Sequence, residues 1–412
     1  MESREHKGNN GYIDSLKIEN FFSIVELELS GLKDRKEVYF LGENGAGKTL
    51  ILMSIVITFK SEFIYKFSNL EETGKIIDLI GFYQNGPYSQ RFNFAYSGQD
   101  SESNNYSLND DNNNLNIGKG FLSNLIAYGV HRSKNDSDKA APFGFLTLFD
   151  DDQYLINPNN WLMKLYTAEL EKEVHKSKKS PILSLSTAKK ILSDIVDNNI
   201  EIEVTSKGVA YTEKGTPLRF FQLAEGYKSV IVWVSDLISR LSESQPHVQK
   251  IQDLEGIVLV DEINLHLHPN WERRIVKKLR SWFPKVQFFF TTHSPITVLG
   301  ASNDAVFYKV YKENGSTHIS EPYFKTDLNN QMVNTIVTSP LFGLEDARMS
   351  SDAPAQQELD TSDDYLYSRI HNKIAERLEQ RKKSGKLYFS PEEIDQMIDN
   401  ALNEEAPNYD KS

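Results

Sequence analysis

Residues 42 to 49 read GENGAGKT, directly after the apolar run Val38-Tyr39-Phe40-Leu41. Gly42, Gly47, Lys48 and Thr49 meet every fixed position of the pattern G-x-x-x-x-G-K-[ST]. Glycines in such a loop let the amides of Asn44, Gly45, Ala46 and Gly47 turn inward around an anion. Lys48 then reaches terminal phosphates, and the Thr49 hydroxyl ligates Mg²⁺. The competing reading is a plain glycine turn. The apolar strand before the loop and the apolar helix after it favour a nucleotide, with ATP and Mg²⁺ as the implied ligands.

Phosphate chemistry needs more than a cradle. An acidic residue at the end of a buried strand must hold the magnesium shell, and GIVLVDE supplies Asp261, acting directly or through water. Glu262 beside it is placed to polarise an attacking water. LAEGYKS (223–229) starts a helix whose free amides attract anions. The cradle already serves its own chain, so the economical role for Gly226 is in trans, against the γ-phosphate of a second copy in an isologous dimer. Taken alone, LAEG is an ordinary helix start. FFFTTHSP puts His293 just past the next strand, where an imidazole can hydrogen-bond a γ-phosphate. Glu262, His293 and Lys48 are thus the candidate catalytic residues, and Thr49 and Asp261 the metal ligands.

The elements that must position these residues are legible in part. IDSLKIENFFSIVELEL (13–29) alternates loosely in two runs broken at Asn20, which predicts two antiparallel strands. Val38–Leu41 is a strand feeding the loop, and LILMSIVITF (50–59) is apolar nearly all round, hence a buried helix. SQRFNFAYS predicts a strand, NPNNWLMKLYTAELEKEVHK a helix entered at or just before Asn160, and STAKKILSDIVDNN a second helix. NIEIEV and GVAYTEKGTPL suggest a hairpin, and YKSVIVWVSDLISRL a buried helix. GIVLVDE and VQFFFTTH are continuous apolar strands ending in polar residues, the pattern of parallel strands covered on both faces; a basic helix, Trp271 to Phe283, links them.

SGQDSESNNYSLNDDNNNLN has too few apolar residues to repay ordering and predicts an exposed loop. The expected organisation is 1–61, an N-terminal lobe; 62–199, a mostly helical insert; 200–345, a C-terminal lobe; and 346–412, a linker with two helices. No internal repeat and no long heptad run appears.

The 412 residues are 39% hydrophobic, enough for a large core, and contain no cysteine, which excludes disulfides, thiolate metal sites and a cysteine nucleophile. No apolar stretch approaches a membrane span or signal peptide, so a soluble cytoplasmic protein is expected. A net charge of −12 argues against a wholly basic nucleic-acid coat.

Together the motifs resemble the ABC-type ATPases of the SMC/RecF/OLD group. IENFFSIVELELSGL and VYFLGENGAGKT look like their N-terminal strands and Walker A loop, LAEGYKS like their signature, VLVDEINLHLHP like their Walker B and D-loop, and FFFTTHSP like their H-loop. IAYGVHR (126–132) and INPNNWLMKL are similar to the stand-alone ATPases of bacterial anti-phage systems, such as Septu, PARIS and retron-associated ATPases. The likeness runs over roughly residues 12 to 310. It implies an α/β fold: an ABC-type P-loop NTPase head with antiparallel N-terminal strands, a mostly parallel core sheet and a largely helical insert. It also implies ATP hydrolysis, a homodimer or higher oligomer closed around ATP, and a separately encoded effector, a nuclease or toxin.

The departures set the alternatives. Where the family signature begins Leu-Ser, this chain has Ala224, which costs a hydrogen bond to the opposite phosphate and predicts slow or partner-stimulated turnover; a nucleotide-locked scaffold is one alternative reading. The Q-loop glutamine is left open between Gln84 and Gln90. His266 and His268 fit the D-loop better than zinc, for want of a third ligand. Arg273, Lys277 and Arg280, with Arg274 and Lys278 beside them, allow a RecF-like DNA surface, although a solvated face explains them as well. No Toprim nuclease region is legible after Glu345. In the tail, Leu366, Ile370, Ile374 and Leu378 form a stripe suited either to a partner groove or to the chain's own domain.

Overall fold

Strand β1 (Asn9–Phe21) buries Ile13, then Leu16 and Ile18. That change of spacing coincides with a register shift between Ile13 and Ser15, where an extra residue restores the inward face. The turn to β2 (Ile24–Leu29) falls at Phe22–Ser23, two residues after the expected break, with Asn20 and Phe22 both at φ 52°. These observations come from a computed structural model that describes residues 9–59, 76–85, 88–97, 124–136, 138–175 and 183–328, with Ile336, Ser339, Leu341 and Phe342. The Asn/Asp-rich stretch and the tail stripe Leu366–Leu378 lie outside the described residues. The chain divides into Met1–Pro322 and Tyr323–Ser412. In the second unit the described residues form a short strand, Tyr323–Phe324, and a 3-10 turn, Lys325–Leu328.

In the first unit, β3 (Glu37–Leu41) is buried at every position and runs into the phosphate loop, followed by α1 (Lys48–Phe59). Its Ile51, Leu52, Ile55 and Val56 are all buried, as a helix apolar on all sides requires. β4 (Ile76–Asn85) and β5 (Tyr88–Ser97) form a hairpin, and β6 (Leu125–Tyr128) is a short buried strand. Then come α2 (Pro158–His175) and α3 (Leu185–Ile195), the latter capped by Ser184, whose hydroxyl accepts from the Thr187 amide at 3.1 Å. β7 (Ile200–Thr205), β8 (Gly208–Glu213) and β9 (Thr216–Leu218) make a small antiparallel sheet. The order closes with α4 (Glu225–Ser244), β10 (Glu255–Val260), α5 (Pro269–Trp282), β11 (Lys285–Thr292), α6 (Pro295–Gly300), β12 (Val306–Glu313) and β13 (Ser316–Ile319).

The core sheet runs β13-β12-β3-β11-β10-β6, parallel from β12 to β6, with β13 antiparallel at one edge. A second, antiparallel sheet has the order β2-β1-β4-β5. The described part of the insert over 62–199 is helical in its later part and stranded in its earlier part. The insert's first described elements are strands that extend the N-terminal sheet, and β6 belongs to the core sheet. IIDLIGFYQN carries apolar residues at consecutive positions around a glycine, so the period-two signal of a strand was absent. Helices do make up the later part, α2 and α3.

Gln287, in the middle of β11 and fully buried, joins the two sheets. Its Oε1 accepts from the Ile13 amide at 2.7 Å, and its Nε2 donates to the carbonyls of Ile13, Arg35 and Leu32 at 3.0, 3.1 and 3.3 Å. A buried carboxamide is tolerated there because both its ends are satisfied.

Candidate functional site

The parallel strands deliver their last residues to one edge of the sheet, and the chemistry collects there. Beyond β3 the loop tip, Glu43 to Gly45, is exposed, whereas Ala46 and Lys48 are buried. Gly45 and Gly47 have φ of 80° and 107°, the left-handed region that favours glycine. At Gly47 even a methyl group is excluded, since it would meet the Thr317 hydroxyl at 2.5 Å. Thr317 comes from β13 and donates to the Ala46 carbonyl at 3.0 Å, bracing the loop from below.

The Lys48 ammonium, 5% exposed, donates to the carbonyls of Gly42 and Glu43 at 2.8 and 3.0 Å and pairs with Glu262 Oε1 at 3.2 Å. Thr49 Oγ1 donates to Asp261 Oδ2 at 2.9 Å. Asp261 Oδ1 accepts from Thr291 Oγ1 at 2.5 Å. Burial pushes the Asp261 carboxyl above the usual carboxylate range, opposed by the Thr291 and Thr49 hydroxyls that hydrogen-bond its anion. Two hard oxygens, Thr49 Oγ1 and Asp261 Oδ2, thus converge beside the phosphate loop. This donor set fits Mg²⁺, which takes a carboxylate or a hydroxyl together with substrate phosphates.

Glu262 sits just past β10 with φ 45°, unusual for a residue carrying a side chain. Its amide donates to Thr291 Oγ1 at 2.7 Å, and its Oε2 lies 2.9 Å from His293 Nδ1. The His293 side chain is 51% exposed, so it can meet a ligand from the solvent side. The fold therefore brings Lys48, Thr49, Asp261, Glu262 and His293 into one connected cluster.

Two residues in this cluster were not assigned a role from sequence. Arg132, buried just after β6, donates through Nη1 to the Asp261 and Gly129 carbonyls at 2.5 and 3.2 Å, and through Nη2 to the Glu262 carbonyl at 2.6 Å. Burial lowers its pKa to about 10, which leaves it charged at neutral pH. The hints were its place after an apolar run and within IAYGVHR, neither of which gives the side chain a role. Gln153 lines a cavity of about 590 Å³ together with Thr49, Met53, Asp150 and Asp261. The expected glutamines, Gln84 and Gln90, instead lie in the β4–β5 hairpin.

The signature segment is arranged differently. Ala224 caps α4 without a side-chain hydrogen bond, and it and Glu225 are exposed. Glu225 pairs with Lys228 at 2.6 Å, a hydrogen-bonded contact that holds the Glu225 carboxyl below its usual range. Gly226 is buried: a Cβ there would run into the carbonyl oxygen of His266 and approach the Trp271 ring at 3.4 Å. His268 caps α5, its Nδ1 accepting from the Asn270 amide at 3.3 Å.

The basic face of α5 is engaged within the chain chiefly through Lys278 and Arg280. Arg280 binds Glu37 and Asp304, each at 3.2 Å; Lys278 pairs with Asp197 at 2.7 Å; and Arg274 lies 3.5 Å from Asp197. Arg273 and Lys277 remain exposed. No described helix is long and apolar enough to cross a membrane.

Comparison with known proteins identifies the family. The family model described as "AAA domain, putative AbiEii toxin, Type IV TA system" matches residues 39–299, well over half of the chain. Septu protein PtuA of Bacillus mycoides (strain KBAB4) is 26% identical over 362 residues, covering 83% of this chain and 46% of the relative. Retron Vc95 probable ATPase of Vibrio cholerae serotype O1 biovar El Tor is 39% identical over 94 residues, covering 23% of this chain and 18% of the relative. The chain thus spans less than half the length of these curated relatives. Among solved structures, the SMC head domain from Thermotoga maritima aligns with 75% of this chain and 98% of its own, at 15% identity and a TM-score of 0.44. With the phosphate loop, the acidic strand end and the parallel sheet in place, the chain belongs to the AAA domain family that this model describes, an α/β fold of the P-loop NTPase type.

Proposed function

We propose that the chain binds and hydrolyses ATP, closes in pairs around it, and uses the paired state to control a separately encoded effector, a nuclease or toxin, in anti-phage defence. The observation that carries the ATPase part is the linked set Lys48–Glu262–His293 beside Thr49–Asp261, assembled from the ends of three separate strands. An incoming triphosphate competes with Glu262 for the Lys48 ammonium. Once released, the Glu262 carboxylate can accept a proton from water, and the half-exposed His293 imidazole can hydrogen-bond the terminal phosphate. Mg²⁺, held at Thr49 and Asp261, would neutralise phosphate charge.

Pairing is supported by the exposed Ala224–Glu225 helix start, and by Phe221 beside it, an apolar ring 69% exposed. Support for defence comes from the likeness to the Septu and retron proteins. Phosphate release and light-scattering mass, measured with ATP and Mg²⁺ for the wild type and Glu262→Gln, test the reading. Turnover in the wild type, its loss in the variant and an ATP-dependent doubling of mass are expected. Equal background rates in both would discard hydrolysis and leave the nucleotide-locked scaffold, for which Ala224 is the motivating residue.

A further inference from the structure

We propose that Arg132 is a positioning residue for hydrolysis: its guanidinium sets the peptide that carries Glu262 and thereby aims the Glu262 carboxylate. The proposal rests on the ATPase reading above and names a residue that reading does not use. Arg132 is 2% exposed. Its Nη1 and Nη2 each take one of two consecutive carbonyls, Asp261 at 2.5 Å and Glu262 at 2.6 Å, and Nη1 also reaches Gly129 at 3.2 Å.

Successive carbonyls of an extended strand point to opposite sides, so one planar fork can hold both only where the backbone turns between them. Glu262, at φ 45°, is that turn. Such a conformation persists in a residue with a Cβ only when its surroundings over-determine it. Here the Glu262 carbonyl is held by Arg132 and its amide by Thr291 Oγ1 at 2.7 Å. With both ends of the residue fixed, the side chain leaves between Lys48 Nζ at 3.2 Å and His293 Nδ1 at 2.9 Å. Lysine could not substitute, because an ammonium is a point charge without a rigid two-donor fork.

A plain structural bolt between β6 and β10 would use the same contacts, so the test must separate aiming from holding. Arg132→Lys and Arg132→Gln in the full chain are compared with the wild type by thermal melting, by affinity for a fluorescent ATP analogue with Mg²⁺, and by single-turnover hydrolysis at saturating ATP. Both variants are expected to melt cooperatively and to bind within about threefold of the wild type. Their turnover should fall roughly a hundredfold, the usual effect of a misplaced reacting group.

Unchanged turnover in either variant, full recovery by lysine, parallel losses of binding and turnover, or loss of the melting transition in both would each overturn the proposal. Absence of turnover in the wild type would instead sink the ATPase reading, and this proposal with it; in an active wild type the other outcomes sink only the role of Arg132.

Discussion

Two helix starts, at Lys48 and at Glu225, are finished in opposite ways. At α1 the loop's buried side chains are all engaged from within the chain: Lys48 by Gly42, Glu43 and Glu262, and Thr49 by Asp261. At α4 the capping residue, Ala224, contributes no side-chain hydrogen bond and lies at the surface with Glu225. The first four amides of any helix lack internal partners. The contrast therefore separates a loop whose side chains are engaged within one copy from a surface that, on the proposed function, meets a second.

The largest break in that comparison is Lys48→Ala. Removing a charged donor from the phosphates should cost a single copy about 3 kcal/mol of ATP affinity, more than a hundredfold. Calorimetric titration of ATP with Mg²⁺ on protein dilute enough to stay single reads this directly, and unchanged affinity there would contradict the placing of Lys48 at the phosphates.

Gly226→Ala comes next. The new methyl group would meet the His266 carbonyl of its own chain, so a destabilisation of about 2 kcal/mol in denaturant melts is expected, even for an isolated copy without nucleotide. Unchanged stability would mean that the glycine is required only across the pair.

At the opposite end of β10 from Asp261, Glu255 gives a control distant from both helix starts. Burial raises its carboxyl pKa to about 7, whereas an unfolded chain releases that proton near the ordinary glutamate value of about 4.3. Between those values the unfolded state ionises first, so wild-type stability falls as pH rises and levels off above about 7. Glu255→Gln should remove that fall, so that the variant outlasts the wild type at pH 8 and matches it at pH 4. Melting curves across this range check it, and ATP affinity should stay unaltered.

The smallest effect expected is from Ala224→Ser. A hydroxyl at this cap offers one new hydrogen bond, so ATP-dependent pairing should tighten about tenfold with no change in the affinity of single copies for nucleotide. Sedimentation at graded concentrations reads the pairing constant, and a shift in single-copy affinity instead would place Ala224 in its own chain's site.

How much of this was legible follows from where each signal resides. β3, β10 and β11 are unbroken apolar runs with polar ends, and their carboxyl-terminal residues announced themselves by type: lysine after glycine, paired acids, histidine after threonines. The hairpin β4–β5 was half legible, because Tyr88–Ser97 alternates and Ile76–Asn85 does not. β12 and β13 were not foreseen, although Thr317 on β13 shapes the phosphate loop. Arg132 stayed without a role because it binds peptide oxygens 129 and 130 positions away, and backbone carbonyls carry no residue identity. That Gln153 lines the cavity beside Thr49 and Asp261 was not legible, because a glutamine's neighbourhood is a matter of tertiary fold.

Gln287 gives the architecture a mechanical property. One carboxamide, satisfied on both faces, rivets the outer sheet to the same strand whose far end carries Thr291 and Thr292. Any tilt of the outer sheet would strain the hydrogen bonds at Gln287, four residues before the Thr291 hydroxyl that holds Asp261.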